Sequence, residues 1–115
     1  MDVYGLPNCD ATKFLIKRLN VEKTLFRFVN LKENVPSQKM IVSWISNLGA
    51  EKVLNKQSTT WRNLPEAQRN LANTPEFLSK ILQEHPLLIK RPLIYKDGKY
   101  FTGIKEPGLT EFLNH

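Results

Sequence analysis

The order of strand-like and helix-like segments constrains the fold of this 115-residue chain more than any other feature. Residues 3–5 are a short apolar start that predicts a first strand, and residues 24–31, rich in aromatic and β-branched side chains, predict a second. Between them, Phe14, Leu15 and Leu19 predict a helix whose buried side they form. A strand–helix–strand crossover places its two strands parallel in one sheet, so the start of the chain predicts an α/β architecture.

The middle of the chain is helical. Gly49 is a suitable residue to end a first helix, Thr74 and Pro75 begin another as N-cap and first helical residue, and His85-Pro86 ends it. The apolar residues that we expect these two helices to bury are Met40, Ile41, Trp44, Ile45, Leu48, Phe77, Leu78, Ile81 and Leu82.

The last third returns to a strand pattern. Residues 92–95 and 99–102 predict two strands, and the Asp97-Gly98 pair between them is a strong signal for a hairpin. Residues 108–113 predict a short closing helix. All predicted strands therefore come from the two ends of the chain.

Joined in chain order, these segments give a βαβ…ββα layout around one mixed sheet. A chain of this length suits one domain, so we predict a single domain over residues 1–115 with a helical insertion at about residues 34–85.

The positive charge balance has two interpretations, a solvated basic surface or attraction to anionic small molecules such as oxyanions or glutathione. The net charge is +6, but the basic residues are spread along the chain, and no nucleic-acid-binding motif accompanies them, so we do not expect a nucleic acid partner. No apolar run approaches the roughly 20 residues that span a bilayer, and the first residues lack the basic and apolar parts of a signal peptide. We therefore expect a cytoplasmic monomer with no membrane partner.

Cys9 is the only cysteine, and it follows a predicted strand at the first turn of a predicted helix, with Asn8 as a candidate N-cap. Unpaired N–H groups and the helix dipole stabilise a thiolate there, and such positions lower a cysteine pKa from about 8.5 to roughly 3.5–7.5. The alternative is an inert thiol that serves as a small core residue. The position favours a reactive thiol.

Thr12 limits the mechanism open to Cys9. A dithiol motif would place its second cysteine at this position, and the threonine there means that no internal disulfide can form. An oxidised Cys9 would need an external thiol such as glutathione. The Thr12 hydroxyl can donate a hydrogen bond to the thiolate, although ordinary packing in the first helical turn is its alternative role.

Three segments together resemble one protein family. Val-Tyr-Gly-Leu-Pro-Asn-Cys-Asp at 3–10 is similar to the active-site loop of the ArsC/Spx (arsenate reductase-like) family, and Gln-Ser-Thr-Thr-Trp-Arg-Asn-Leu at 57–64 to the insertion of its YffB-like branch. His-Pro-Leu-Leu-Ile-Lys-Arg-Pro-Leu at 85–93 resembles the family's most distinctive motif. The resemblance covers nearly the whole chain and implies an α/β, thioredoxin-like fold with an inserted helical subdomain.

The resemblance also implies roles for single residues. Cys9 corresponds to the nucleophile, Arg91 to an anion-binding arginine, and Pro92 to the cis-proline beside the cysteine. Arg91 has the planar, bidentate donors that suit an oxyanion or a carboxylate, although a surface arginine at a strand start is its alternative interpretation.

Two departures weaken the resemblance to true arsenate reductases. Their insertion arginine falls at Asn55, and their later arginine falls near Lys105, so one arginine of three is retained. Arg62 lies near the insertion motif and is a candidate substitute, although a role as partner for Glu66 is comparable. These departures count against arsenate as the natural substrate.

The function that the resemblance implies is that of an oxidoreductase, a glutathione-dependent thiol or arsenate-type reductase. Glutathione would be the co-substrate and glutaredoxin a further partner, with no bound cofactor. The alternative is a non-enzymatic Spx-like regulator that binds RNA polymerase, but Thr12 removes the Cys-x-x-Cys switch of such proteins. A third reading is a protein that merely holds a small thiol. One cysteine and two distant histidines, His85 and His115, give no metal-ligand spacing, so we expect no metal.

Overall fold

The computed structural model describes all 115 residues. The chain divides into two compact units, which we call the sheet unit (residues 1–30 and 91–115) and the helical unit (residues 31–90). The predicted insertion at about 34–85 lies inside the helical unit. None of the helices combines the length and the apolar composition that crossing a membrane requires.

The sheet unit contains all four strands, and their spatial order is β2-β1-β3-β4. The strands are β1 (Asp2–Gly5), β2 (Arg27–Asn30), β3 (Leu93–Lys96) and β4 (Lys99–Thr102). β1 is parallel to β2, as the crossover argument predicts, and antiparallel to β3, which pairs with β4 in turn. Asp97 and Gly98 both have positive φ, 50° and 79°, which a two-residue hairpin turn requires.

Two helices belong to the sheet unit, α1 (Asp10–Val21) and, at the end of the chain, α7 (Gly108–Leu113), and the second has the bounds that the sequence predicts. The core of this unit consists of five fully buried side chains from the strands and both helices: Val3, Leu15, Leu19, Ile94 and Leu109. The sheet is therefore covered by apolar residues of α1 and α7.

The prediction that Phe14 is buried is wrong, since this side chain is 53% exposed. The buried residues of α1 are Thr12, Leu15 and Leu19. Phe14 lies about 100° around the helix from Leu15, which turns it to the edge of the apolar stripe. Predicted strand 24–31 is also too long at its start, because the Thr24 N–H still donates to the Leu19 carbonyl at 2.9 Å where the chain leaves α1.

The helical unit is built around the packing of α2 against α6. Its elements are α2 (Gln38–Leu48), α3 (Ala50–Val53), α4 (Thr59–Arg62), α5 (Glu66–Leu71), α6 (Pro75–Glu84) and a 3-10 turn (Pro86–Leu88). The Ser37 hydroxyl caps α2 by accepting the Met40 N–H at 3.1 Å, and Gly49, with φ of 89°, ends it. Thr74 and Pro75 begin α6 as predicted.

Two residues of the predicted apolar stripes are not buried, because they lie at the edges of the two helix faces. Met40 and Phe77 are 40% and 41% exposed, and Phe77 is instead covered on one side by the Lys80 ammonium, 5.3 Å from its ring centre. Leu48 is half-buried. The stripe residues that the structure buries are Ile41, Trp44, Ile45, Leu78, Ile81 and Leu82.

Candidate functional site

Cys9 is the N-cap of α1, with extended backbone angles of −85° and 124°. Its carbonyl accepts the Lys13 N–H at 2.9 Å, and its own N–H donates to the Leu6 carbonyl at 3.2 Å. The prediction of Asn8 as N-cap is therefore wrong. The bond from Cys9 to Leu6 closes a turn over Pro7 and Asn8, so Asn8 lies exposed in the turn and the first helical carbonyl belongs to Cys9.

Thr12 lies in the first turn of α1, three residues after Cys9, and is fully buried. It packs on Gly5, the last residue of β1, where an added Cβ would lie only 2.5 Å from the Thr12 Oγ1 atom. Gly5 is therefore required for this close approach of strand and helix. The Thr12 hydroxyl has no fully formed hydrogen bond within the protein, so its proton remains available to the sulfur of Cys9.

Arg91 and Pro92 lie at the same end of the sheet as Cys9. β1 is antiparallel to β3, and Tyr4, next to Gly5, pairs with Leu93 at the start of β3. The residues just after β1 and just before β3 therefore lie at the same end of the sheet. The Arg91–Pro92 peptide bond is cis, as the family resemblance implies. Pro92 is anchored through its carbonyl, which accepts the Gly103 N–H at 2.9 Å.

The pKa of the Cys9 thiol is lowered by its surroundings. Partial burial is the largest single influence and raises the pKa, because it disfavours the thiolate. The hydroxyl and the backbone N–H of Thr12, followed by hydrogen bonding and positive charge from Arg91, lower it and together outweigh burial. The cap geometry explains the N–H contribution, since Thr12 is the third helical residue, whose N–H points toward the N-cap side chain.

The thiol itself completes no cap hydrogen bond. A sulfur is a weak hydrogen-bond acceptor as a thiol and a better one as a thiolate. Thr12 can therefore form a full hydrogen bond to the Cys9 sulfur when Cys9 is ionised. Cys9 is half-buried, which leaves part of the side chain open to a reactant.

The structure brings together four of the predicted residues, Cys9, Thr12, Arg91 and Pro92, and Asn8 lies exposed in the turn directly before Cys9. Lys105 lies in the loop between β4 and α7 with an exposed side chain, and it is not among the principal groups that lower the cysteine pKa. The backbone carbonyl of Lys105 accepts the Leu109 N–H at 2.9 Å.

Asn55 and Arg62 belong to the helical unit. Asn55 has a local structural role, since its Oδ1 accepts the Gln57 N–H at 3.1 Å and its N–H donates to the Leu88 carbonyl at 2.8 Å. Arg62 is exposed at the end of α4 and forms no ion pair with Glu66, so the pairing that we considered for it is absent. No group of three or more His, Cys, Asp and Glu side chains is arranged to hold a metal.

Neither the role of Gly5 nor the cluster that joins α1 to the start of α7 is predicted by the sequence. Arg18 donates to Glu22 at 3.1 Å, to Glu106 at 3.2 Å and to Thr110 at 3.0 Å, and the Glu106–Pro107 peptide bond is also cis. Contacts between residues so far apart along the chain leave no local pattern. The strand-end position of Gly5, directly before the cysteine loop, was the one available signal.

Comparison with known proteins places these features in a family. A family model described as the ArsC family matches residues 4–112. An uncharacterized protein of Haemophilus influenzae is 40% identical over 109 residues, which cover 90% of each chain.

Two solved structures have the same fold. The YffB protein has a TM-score of 0.87 at 27% identity, with 96% of each chain covered. An arsenate reductase from Vibrio cholerae has a TM-score of 0.79 at 20% identity, with 96% of this chain and 97% of that chain covered. At that identity the second likeness concerns the fold alone.

Proposed function

The chain belongs to the ArsC family, and we propose that it acts as a glutathione-dependent thiol reductase in which Cys9 is the nucleophile. One observation carries the proposal: the Cys9 pKa is lowered by Thr12 and Arg91 although burial opposes the shift. A thiolate that is stabilised by neutral and cationic donors is suited to attack a disulfide sulfur.

The proposed reaction has two exchange steps. The Cys9 thiolate attacks the glutathione sulfur of a mixed disulfide between glutathione and a second thiol, the disulfide bond breaks, and the second thiol leaves as a thiolate that takes up a proton. The thiolate of a free glutathione then attacks the Cys9–glutathione disulfide. Oxidised glutathione is released, and Cys9 returns to its thiolate form. Thr12 stands where a resolving cysteine would be, so the second step requires an external thiol.

Arg91 has two roles in this proposal. Its guanidinium stabilises the Cys9 thiolate, and its planar donors suit one of the two carboxylates of glutathione. We place the glutathione site on the Arg91 side of Cys9 for this reason. Glutaredoxin is the alternative thiol source for the second step.

Arsenate is not part of the proposed function. The family resemblance implies that two oxyanion-binding arginines fall at Asn55 and near Lys105. The Asn55 side chain already accepts the Gln57 N–H in a local turn. A lysine offers a point charge in place of the bidentate guanidinium, so oxyanion binding by Arg91 alone would be weaker and less directional.

Calorimetric titration of reduced glutathione tests the site. Arg91→Ala should weaken binding by about 1.5–3 kcal/mol, the range for a hydrogen bond to a charged group, and Arg91→Lys should recover only part of the affinity. Arg27→Ala, which removes an arginine that pairs with Asp2 at the opposite end of β1 from Cys9, is the control within the same unit and should leave affinity unchanged. Equal affinity in wild type and Arg91→Ala would move the site elsewhere, and no binding to the wild type at millimolar glutathione would refute the thiol-reductase proposal.

A further inference from the structure

Gly103 follows the last residue of β4 and has a left-handed backbone, with φ of 83°. Residues with a side chain rarely adopt such an angle. A Cβ added at Gly103 would have no atom within 4 Å, so space for a side chain is not what restricts this position. The backbone conformation therefore requires glycine here.

The Gly103 N–H extends the pairing of β3 with β4 by one bond. Leu93 pairs with Thr102, and the next N–H along the chain, that of Gly103, donates to the Pro92 carbonyl at 2.9 Å. Proline has no N–H, so this is the only backbone hydrogen bond that Pro92 and Gly103 can form with each other. Pro92 is buried, and a buried carbonyl that loses its partner is costly.

The position of Pro92 restricts that of Arg91. A residue directly before proline is confined to extended backbone angles, because other angles bring it into contact with the proline ring. The direction in which the Arg91 side chain leaves the backbone therefore follows the orientation of Pro92. Arg91 is half-buried, and its guanidinium both hydrogen-bonds to Cys9 and contributes positive charge beside it. A rotation of Pro92 would move this guanidinium relative to the sulfur.

We propose that Gly103 is a positioning residue of the thiol site, which holds Pro92 and, through it, the Arg91 guanidinium beside Cys9. The inference rests on the proposed function, since it concerns a group that stabilises the nucleophile. The alternative is that Gly103 only ends the hairpin. That alternative predicts a loss of stability on substitution and no change in the reactivity of Cys9.

Gly98 offers a matched control at the other end of β4. Its φ is 79°, and a Cβ added there would also have no atom within 4 Å. Gly98→Ala therefore imposes the same kind of backbone cost as Gly103→Ala, but in the hairpin turn and away from Pro92. Both variants should lower the Tm by a similar amount, on the order of 5 °C. Only Gly103→Ala should change Cys9.

The rate of iodoacetamide alkylation of the full chain as a function of pH tests the inference. Gly103→Ala should raise the midpoint above that of the wild type, and Gly98→Ala should leave it unchanged. Gly103→Asn should raise it less than Gly103→Ala does, because asparagine tolerates a left-handed backbone. In an Arg91→Ala background, Gly103→Ala should add no further shift, since its effect passes through Arg91.

The inference is overturned if Gly103→Ala folds and keeps the wild-type midpoint, if Gly98→Ala raises the midpoint as much, or if the Gly103→Ala and Arg91→Ala shifts add. Should Gly103→Ala fail to fold, Gly103→Asn decides: a midpoint between those of wild type and Arg91→Ala supports the inference, and an unchanged midpoint overturns it. A wild-type midpoint at the free-thiol value of about 8.5 would refute the proposed function as well. A lower wild-type midpoint that Gly103→Ala leaves unchanged would refute the positioning role alone.

Discussion

At the scale of single residues, the chemistry of this protein depends on how Thr12 and Arg91 surround one thiol. Thr12 contributes a hydroxyl and a backbone N–H, and Arg91 contributes a donor and a charge. All of these favour the thiolate, whereas burial favours the thiol. The pKa of Cys9 depends on few contacts, so single substitutions should shift that pKa measurably.

Replacement of the Thr12 hydroxyl should raise the Cys9 pKa. Thr12→Val keeps the shape of the buried side chain but removes a donor that lowers the pKa, so the thiolate should form at higher pH than in the wild type. The rate of iodoacetamide alkylation as a function of pH measures this. We expect the wild-type midpoint below the value of about 8.5 for a free thiol and a higher midpoint in the variant.

Thr24→Val is the control for this measurement, because it removes a hydroxyl from the loop after α1 that makes no side-chain hydrogen bond. It should leave the midpoint unchanged. A wild-type midpoint at or above the free-thiol value would remove the reason to regard Cys9 as a nucleophile.

The effect of Asn55 on the substrate range can be tested by measuring arsenate reduction. We expect the wild type to reduce arsenate weakly or not at all in the presence of glutathione, because Asn55 and Lys105 stand where arginines are expected. Asn55→Arg should raise any residual activity, although it also removes the acceptor for the Gln57 N–H. Asn55→Ala, which removes the same acceptor without adding a guanidinium, is the control. Vigorous arsenate turnover by the wild type would contradict the expectation.

At the scale of secondary-structure elements, the site depends on the junction of β1 with the first turn of α1. Gly5 allows this junction, because no space remains for a Cβ beside Thr12. A second junction joins α1 to α7 through Arg18, Glu106 and Thr110. The two junctions hold opposite parts of α1 and can be tested separately.

Gly5→Ala should destabilise the protein by about 1–3 kcal/mol, the usual cost of overpacking, since its methyl group would collide with the Thr12 side chain. Gly5→Ala should cost less in a Thr12→Ala background, where the colliding atoms are absent. Thermal unfolding of the wild type, both single variants and the double variant measures this coupling. Additive effects in the four proteins would show that Gly5 and Thr12 are not in contact.

Glu106 should make stability depend on pH. The Thr110 hydroxyl and N–H, and then Arg18, lower the pKa of the Glu106 carboxyl. A lowered folded-state pKa means that the stabilisation is present above the unfolded-state value, near 4.3, and is lost as the pH falls through the folded-state pKa. Between pH 7 and pH 3, the Tm of Glu106→Gln should therefore fall less than that of the wild type. Glu111→Gln, also on α7, should behave as the wild type, and an equal fall in all three proteins would contradict the assignment.

The elements also show what local sequence could and could not predict. The hairpin at Asp97-Gly98, the Thr74-Pro75 helix start and the closing helix follow from short-range chemistry and agree with the structure. Phe14 was misplaced because an apolar residue at the edge of a stripe looks the same as one at its centre. Asn8 was misplaced because its capping preference does not reveal that the turn ends one residue later.

At the scale of the whole molecule, the sheet assembles groups from both ends of the chain into one site. Cys9 could be found from its position, whereas its pairing with Arg91 depends on the antiparallel β1–β3 contact, which no local pattern predicts. The family resemblance implies that Cys9 and Arg91 lie close together, and the structure agrees. The positive net charge of +6 is consistent with an anionic reactant at the proposed thiol site.

Turnover of a glutathione mixed disulfide is the most direct test of the central claim. The mixed disulfide of glutathione and 2-mercaptoethanol, supplied with reduced glutathione, should yield oxidised glutathione faster with the wild type than with Cys9→Ser, which should give only the uncatalysed rate of exchange. Without reduced glutathione, intact mass spectrometry should find one glutathionyl group on the wild type, attached to Cys9. Equal turnover by wild type and Cys9→Ser, or a wild type that never carries this group, would contradict the account.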